Sequence, residues 1–322
     1  MPAAGTYAPP AARGGHQRLI EPSVLARLNN LELLARTVVE GALIGLHRSP
    51  SFGFSQEFAE YRPYVPGDDL RYIDWNVYAR TDRTYVKRYF GDTNCPLMLL
   101  LDTSASMNAD AGAAGAAPRS SSARGTISKL DYTRFFAAAL VYLAHRQHDA
   151  VGLLTFNDQI RHYRPPTARA AGVRTLYHQL DELHASGGSN WQLPLEQVQA
   201  QFRKSGLIVL ISDFYTEPES LLKVLRGLAA RGHDLLLIHV LHPDERELDL
   251  THAATLKDAE TGEVMEVTRE EILQGYPARL AEHIETLKKL TLGMGGHYLQ
   301  VDTSEPLDRT LAGYLHFRSR HP

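Results

Sequence analysis

Apolar residues along this chain fall into short unbroken runs separated by stretches of helical spacing, and the organising run is Leu97 to Met107, LMLLLDTSASM. Five apolar residues end at Asp102, and a hydroxyl-rich turn, Thr103-Ser104-Ala105-Ser106, follows at once. A short apolar run closed by turn formers predicts a strand buried on both faces, as a parallel sheet needs. Gly206 to Ser212 repeats the pattern and ends in Asp213. Val151 to Phe156, Leu235 to Leu241 and His297 to Val301 read as further strands. Gln159 to Tyr163 can pair back through the Asn157-Asp158 turn. Asp258 to Val267 reads as a hairpin turning at Glu260-Thr261-Gly262. Helices are expected over Lys129 to Gln147, 167–184, Leu193 to Phe202, Ser220 to Ala230, Arg269 to Leu290 and Leu307 to Phe317. Strand and helix thus alternate over residues 95 to 320, which predicts an α/β fold with a doubly wound, mostly parallel sheet.

Two regions interrupt this pattern. Glu21 to Ala42 has leucines at near-helical spacing (Leu25, Leu28, Leu31, Leu34), with Gly41, Gly45 and His47-Arg48-Ser49-Pro50 expected to end the helix. Residues 51 to 92 are crowded with aromatic and charged side chains. Arg62, Arg71, Arg80, Glu57, Asp68, Asp69 and Asp74 are numerous enough to predict an ion-pair network around Trp75 in a small irregular β subdomain. The expected organisation is a disordered tail at 1–18, an N-terminal helix plus small subdomain at 19–92, and the α/β domain at 93–322. A flexible Ala/Gly/Ser insert at 108–128 hangs from the first strand.

Composition narrows the function classes. A formal net charge of -3 over 322 residues gives no global attraction to nucleic acid or anionic membranes. The single cysteine, Cys95, excludes an internal disulfide and a cysteine-based zinc site. The first eighteen residues resemble neither a signal peptide nor a membrane span. Val38 to Leu46 is interrupted by Glu40 and is shorter than the roughly 20 residues a span needs. The expectation is a soluble cytoplasmic protein with no transmembrane segment. There is no GxxxxGK[ST] loop and no GxSxG elbow, so neither ATP hydrolysis nor acyl transfer has its motif here.

The chemistry gathers at strand ends. In an open α/β sheet, ligands bind at the carboxyl edge where the strand order reverses. Asp102, Ser104 and Ser106 alternate, so a carboxylate and two hydroxyls can share one side of a loop. Small oxygen ligands of this kind suit a hard cation such as magnesium. The same residues can also end a strand and cap the next helix. Ser189 (or Asn190) in the Ser186-Gly187-Gly188-Ser189-Asn190 loop and Asp213 after the second apolar run add donors from two more loops. Three loops converging on one crevice favour the metal.

DTSAS, the GGS loop and the ISD strand end resemble the metal-ion-dependent adhesion site (MIDAS) of von Willebrand factor A domains, whose pattern is DxSxS, a loop threonine and an aspartate. Asp102, Ser104 and Ser106 match the first motif, Ser189 stands where threonine is usual, and Asp213 matches the last. The segment EFAEYRPYVPGDDLRYIDWNVYARTDRTYVKRY resembles the domain-of-unknown-function 58 family, and that resemblance runs from Leu25 to Tyr314. It implies a von Willebrand factor A-like fold and Mg2+ (or Mn2+ or Ca2+) at the site. It also implies a MoxR-type AAA+ ATPase, or that ATPase's client, as partner through a metal-bridged carboxylate. The expected function is a non-enzymatic, metal-dependent protein-interaction module working in remodelling or maturation of a client protein. The alternatives are a magnesium-dependent hydrolase and a structural protein with an empty metal site.

Overall fold

The apolar runs beginning at Leu97, Val151, Leu207 and Leu235 become strands of one six-stranded sheet in a computed structural model of the protein. The structure describes residues 30–47, 58–66, 73–89, 95–108, 127–246, 255–258, 260, 262–266 and 269–320. The expected tail at 1–18, Arg71, Glu57, Asp68 and Asp69 of the expected ion-pair network, and residues 109–126 of the insert lie outside the described residues. In chain order, α1 (Leu31–His47) precedes a small antiparallel ribbon of β1 (Phe58–Pro63) and β2 (Tyr85–Tyr89), with α2 (Trp75–Thr81) between its strands. Then come β3 (Leu97–Asp102), α3 (Lys129–Arg146), β4 (Val151–Phe156), β5 (Ile160–Thr167), α4 (Ala170–Asp181) and α5 (Gln192–Gln201). β6 (Leu207–Ser212), α6 (Pro218–Ala229), β7 (Asp234–Leu241) and the one-turn α7 (Pro243–Arg246) follow. A hairpin of β8 (Thr255–Lys257) and β9 (Val264–Glu266), then α8 (Arg269–Gly293), β10 (His297–Asp302) and α9 (Leu307–Arg320), complete the order.

The sheet runs β10-β7-β6-β3-β4-β5, parallel throughout except for the antiparallel edge strand β5. Its two faces are both covered, which is why its strands read as continuous apolar runs. Leu97, Leu99 and Leu101 of β3 pack with residues of α1, α3, α4 and α9. Met98 and Leu100 pack with α5, α6 and α8 on the opposite face. β5 extends to Thr167 although it carries Pro165 and Pro166. An edge strand accommodates proline because one row of its N–H groups has no partner strand to serve.

α1 runs through Gly41 and Gly45 and ends at His47, the first residue of the His47-Arg48-Ser49-Pro50 segment expected to end it, while the expected start at Glu21 lies outside the described residues. Leu34, Ala35, Val38, Val39 and Ala42 are buried in the same core as α3 and α9, and such packing outweighs the helix penalty of the two glycines. Trp75, around which the ion-pair network is expected, is 59% exposed and meets Tyr78 edge-on. Beside it, Asp74 is the N-cap of α2, accepting from the Asn76 and Val77 N–H groups, and Arg80 donates to the Asn76 carbonyl.

The strand order reverses between β3 and β6, so the carboxyl ends of the two motif-bearing strands lie side by side. Leu101 pairs with Ile211, which sets Asp102 beside Ser212. β6 enters this position through a close backbone approach: a Cβ on Gly206 would lie 2.3 Å from the Pro96 carbonyl oxygen. Gly206→Ala is therefore expected to destabilise the protein by about 1–3 kcal/mol, the usual cost of overpacking. Urea denaturation reads this as a lowered midpoint, and an unchanged midpoint would show that the Pro96 backbone yields freely.

Candidate metal centre

Asp102 is fully buried at the end of β3, and its carboxylate accepts hydrogen bonds from three loops. Oδ1 accepts from the Ser104 N–H at 2.9 Å, a local turn typical of aspartate. Oδ2 accepts from Ser212 Oγ at 2.7 Å and from Ser189 Oγ at 3.1 Å. Ser104 and Ser106, both buried, hold their hydroxyls 3.0 Å apart. Neither serves as the cap of the following long helix, since Ser128 is the N-cap of α3 and accepts from the Asp131 N–H. Of the two candidates in the glycine loop, Ser189 faces Asp102. Asn190 instead accepts from the Gln192 N–H at the start of α5. That loop is anchored to the β3 turn by Ala105 N–H to the Gly187 carbonyl and Ser186 N–H to the Thr103 carbonyl, both 2.9 Å. Gly187 adopts a φ of 71°, which glycine tolerates at little cost.

Asp213, also buried, reaches the cluster after a tight turn in which the Phe214 N–H donates to Ser212 Oγ at 2.8 Å. Its Oδ2 accepts from Lys129 Nζ at 2.7 Å. Lys129, with no exposed surface, also donates to Glu245 Oε1, while Glu245 Oε2 accepts from the His242 N–H at 2.8 Å. The Tyr215 ring covers the same ammonium at 5.0 Å from its centroid. From the β8–β9 hairpin, Glu260 Oε1 accepts from Ser106 Oγ at 3.3 Å.

Burial, and then the Asp213 charge, push the Asp102 carboxyl up to about 6. Burial, and again Asp213, raise Glu260. Burial also raises Glu245 in spite of Lys129. For Lys129, burial acts downward, but Asp213 and Glu245 outweigh it and the ammonium is held above its ordinary range. The centre thus carries four carboxylates, Asp102, Asp213, Glu245 and Glu260, against the one ammonium of Lys129. Among the described residues, no group of three or more His, Cys, Asp or Glu side chains is arranged to hold a metal ion. A cation here would therefore rest on serine hydroxyls together with carboxylates. An all-oxygen donor set with excess negative charge fits a hard divalent cation.

Sequence reading singles out Asp102, Ser104, Ser106, Ser189 and Asp213; in the structure the Ser104 N–H and Ser189 Oγ donate to Asp102, Ser106 Oγ lies beside Ser104 Oγ, and Asp213 acts on Asp102 through its charge. It misses Ser212, Lys129, Glu245 and Glu260. Ser212 had a signal, since it alternates with the buried Ile208 and Leu210 and immediately precedes Asp213. Lys129, the charged residue opening an otherwise apolar helix face, had a weak one. Glu245 and Glu260 sit in polar turns and had none.

The family model for "Protein of unknown function DUF58" matches residues 60–286. Uncharacterized proteins of Mycobacterium tuberculosis (strain ATCC 25618 / H37Rv) and Mycobacterium bovis (strain ATCC BAA-935 / AF2122/97) are each 30% identical to this chain over 287 residues, which is 88% of this chain and 86% of each relative. Among solved structures, the conserved hypothetical protein BatB from Bacteroides thetaiotaomicron is 16% identical, with a TM-score of 0.45 over 70% of this chain and 99% of that one. The SpRpn10 VWA domain is 12% identical, with a TM-score of 0.40 over 68% of this chain and 94% of that one. At such scores the fold assignment rests on the strand order and register described above.

Lys129 is the only cation that touches Asp213 and Glu245 among the described contacts. Removing one partner of a buried ionic group leaves the other charge uncompensated, so Lys129→Met is expected to cost about 3–5 kcal/mol. Adding Glu245→Gln to that variant should recover part of the loss in denaturant titrations. A Lys129→Met midpoint equal to wild type would refute this account of the triad.

Proposed function

Since the chain belongs to the family of proteins of unknown function DUF58, whose description carries no activity, we propose a role from its own geometry. It is a non-enzymatic, metal-dependent protein-interaction module. Mg2+, or Mn2+ or Ca2+ in its place, is held by Asp102, Ser104, Ser106, Ser189 and Asp213. The observation that carries this reading is the convergence of three loops on the buried Asp102 carboxylate, with the Ser104 and Ser106 hydroxyls adjacent. Bound there, a divalent cation supplies an electrophilic position for an oxygen ligand from outside the site. Asp213 has one oxygen on Lys129 and contributes through the other. Ser212 acts as a positioning residue, holding Asp102 Oδ2 and the Phe214 N–H at once.

The outside ligand is an Asp or Glu carboxylate of a MoxR-type AAA+ ATPase or of that ATPase's client, and the work is remodelling or maturation of the client. Support for that partner is the family resemblance of the sequence. The setting is cytoplasmic; no helix among the described residues is long and apolar enough to cross a membrane. A hydrolase would need a base poised beside a serine. His239, packed edge-on against Phe214, is fully buried and shares its Nδ1 hydrogen bond with the Tyr298 hydroxyl.

Calorimetric titration of the full chain with Mg2+ is expected to show one site that disappears in Asp102→Ala. Co-elution with the purified MoxR-type ATPase of the same organism is expected to need Mg2+ and to vanish with chelator or with Asp102→Ala. Equal co-elution of wild type and Asp102→Ala, each with and without chelator, would sink the proposal.

A further inference from the structure

The hairpin of β8 and β9 brings a carboxylate of the chain itself to the side of the centre where Ser106 and Ser189 lie. The Glu260 N–H donates to Asp258 Oδ1 at 2.7 Å, the Gly262 N–H donates to the Asp258 carbonyl at 3.0 Å, and Gly262 takes a φ of 73°. The Asp258 N–H closes the turn on the Glu263 carbonyl at 2.8 Å. This turn directs the Glu260 side chain inward, half-buried, where Oε1 accepts from Ser106 Oγ at 3.3 Å and the carboxylate is favoured by the nearby Ser189 N–H. The carboxylate lies against Gly188, where a Cβ would meet Glu260 Oε2 at 3.5 Å, an ordinary van der Waals contact. Glu260 therefore lies beside two of the three serines that the metal reading uses, and it does so from a separate element 154 residues away from Ser106 in sequence.

We propose that Glu260 is an internal carboxylate ligand of the metal centre, occupying the position that a partner's Asp or Glu would take, so that docking requires the 255–266 hairpin to give way. This inference rests on the metal reading above. Its electrostatics are self-consistent: with no cation the Asp213 charge opposes Glu260, and a cation would offset it and make the contact favourable. Partner affinity is then set by competition between an intramolecular and an intermolecular carboxylate. The intramolecular one has the advantage of high effective concentration.

The test is a Mn2+ titration of the full chain, followed by electron paramagnetic resonance and by water-proton relaxation. Wild type is expected to bind one Mn2+, and Asp102→Ala none. Glu260→Gln should bind about tenfold more weakly, as befits loss of a charged ligand. Its bound ion should also show higher relaxivity, because water replaces the carboxylate. If Glu260→Gln melts differently from wild type in chelator, Glu260→Asp, which withdraws the carboxylate by one methylene, carries the same expectation. Should wild type bind Mn2+ through Asp102 while neither Glu260 variant changes affinity or relaxivity, Glu260 is not a ligand and the metal reading stands without it. Should wild type bind no Mn2+, both fall together.

Discussion

Parallel pairing of β3 with β6 is the constraint on which the rest of this protein depends. The paired residues Leu101 and Ile211 are 110 positions apart in the chain, yet register brings Asp102 beside Ser212 and Asp213. That pairing also marks the point where the chain, having laid β4 and β5 to one side, returns to lay β6, β7 and β10 to the other. The loops that leave a sheet at such a point diverge above and below it, opening a crevice without disturbing the strands beneath. A rigid floor of fully buried leucines, isoleucines and valines therefore supports a polar roof.

The polar roof is costly, and its construction shows how the cost is contained. A buried carboxylate is tolerated only when hydrogen-bonded or paired. Asp102 meets this need with one backbone N–H and two hydroxyls, and Asp213 with an ammonium. Lys129 is shared between Asp213 and Glu245, so the internal charges are balanced only in part. The remainder is concentrated toward Asp102 and Glu260, both of whose carboxyls are raised by burial and then by Asp213. An interior built in this way holds its oxygen groups in place through the chain's own hydrogen bonds.

Elements outside the sheet are legible to different degrees. α1 was readable as an amphipathic helix, but its length was not. Its glycines signal an end, whereas the contacts of Val38, Val39 and Ala42 with the core carry it onward. The ribbon of β1 and β2 was readable only as short strands in an irregular segment. Local charge density pointed to Trp75 as a centre, and only folding shows it turned outward while Asp74 spends its carboxylate on the N-terminus of α2.

The sequence by itself determined the α/β class, the buried strands, a hairpin within Asp258 to Val267 and the candidate oxygen groups Asp102, Ser104, Ser106 and Asp213, because each of these depends on local period, turn chemistry or a short motif. Only the tertiary structure decided that Ser189 rather than Asn190 faces Asp102, that Ser128 rather than Ser104 or Ser106 caps α3, and that Lys129, Ser212, Glu245 and Glu260 join the site. Those choices turn on which side chain is desolvated beside which charge. Long-range strand register and helix docking settle that question, and no window along the chain contains both partners.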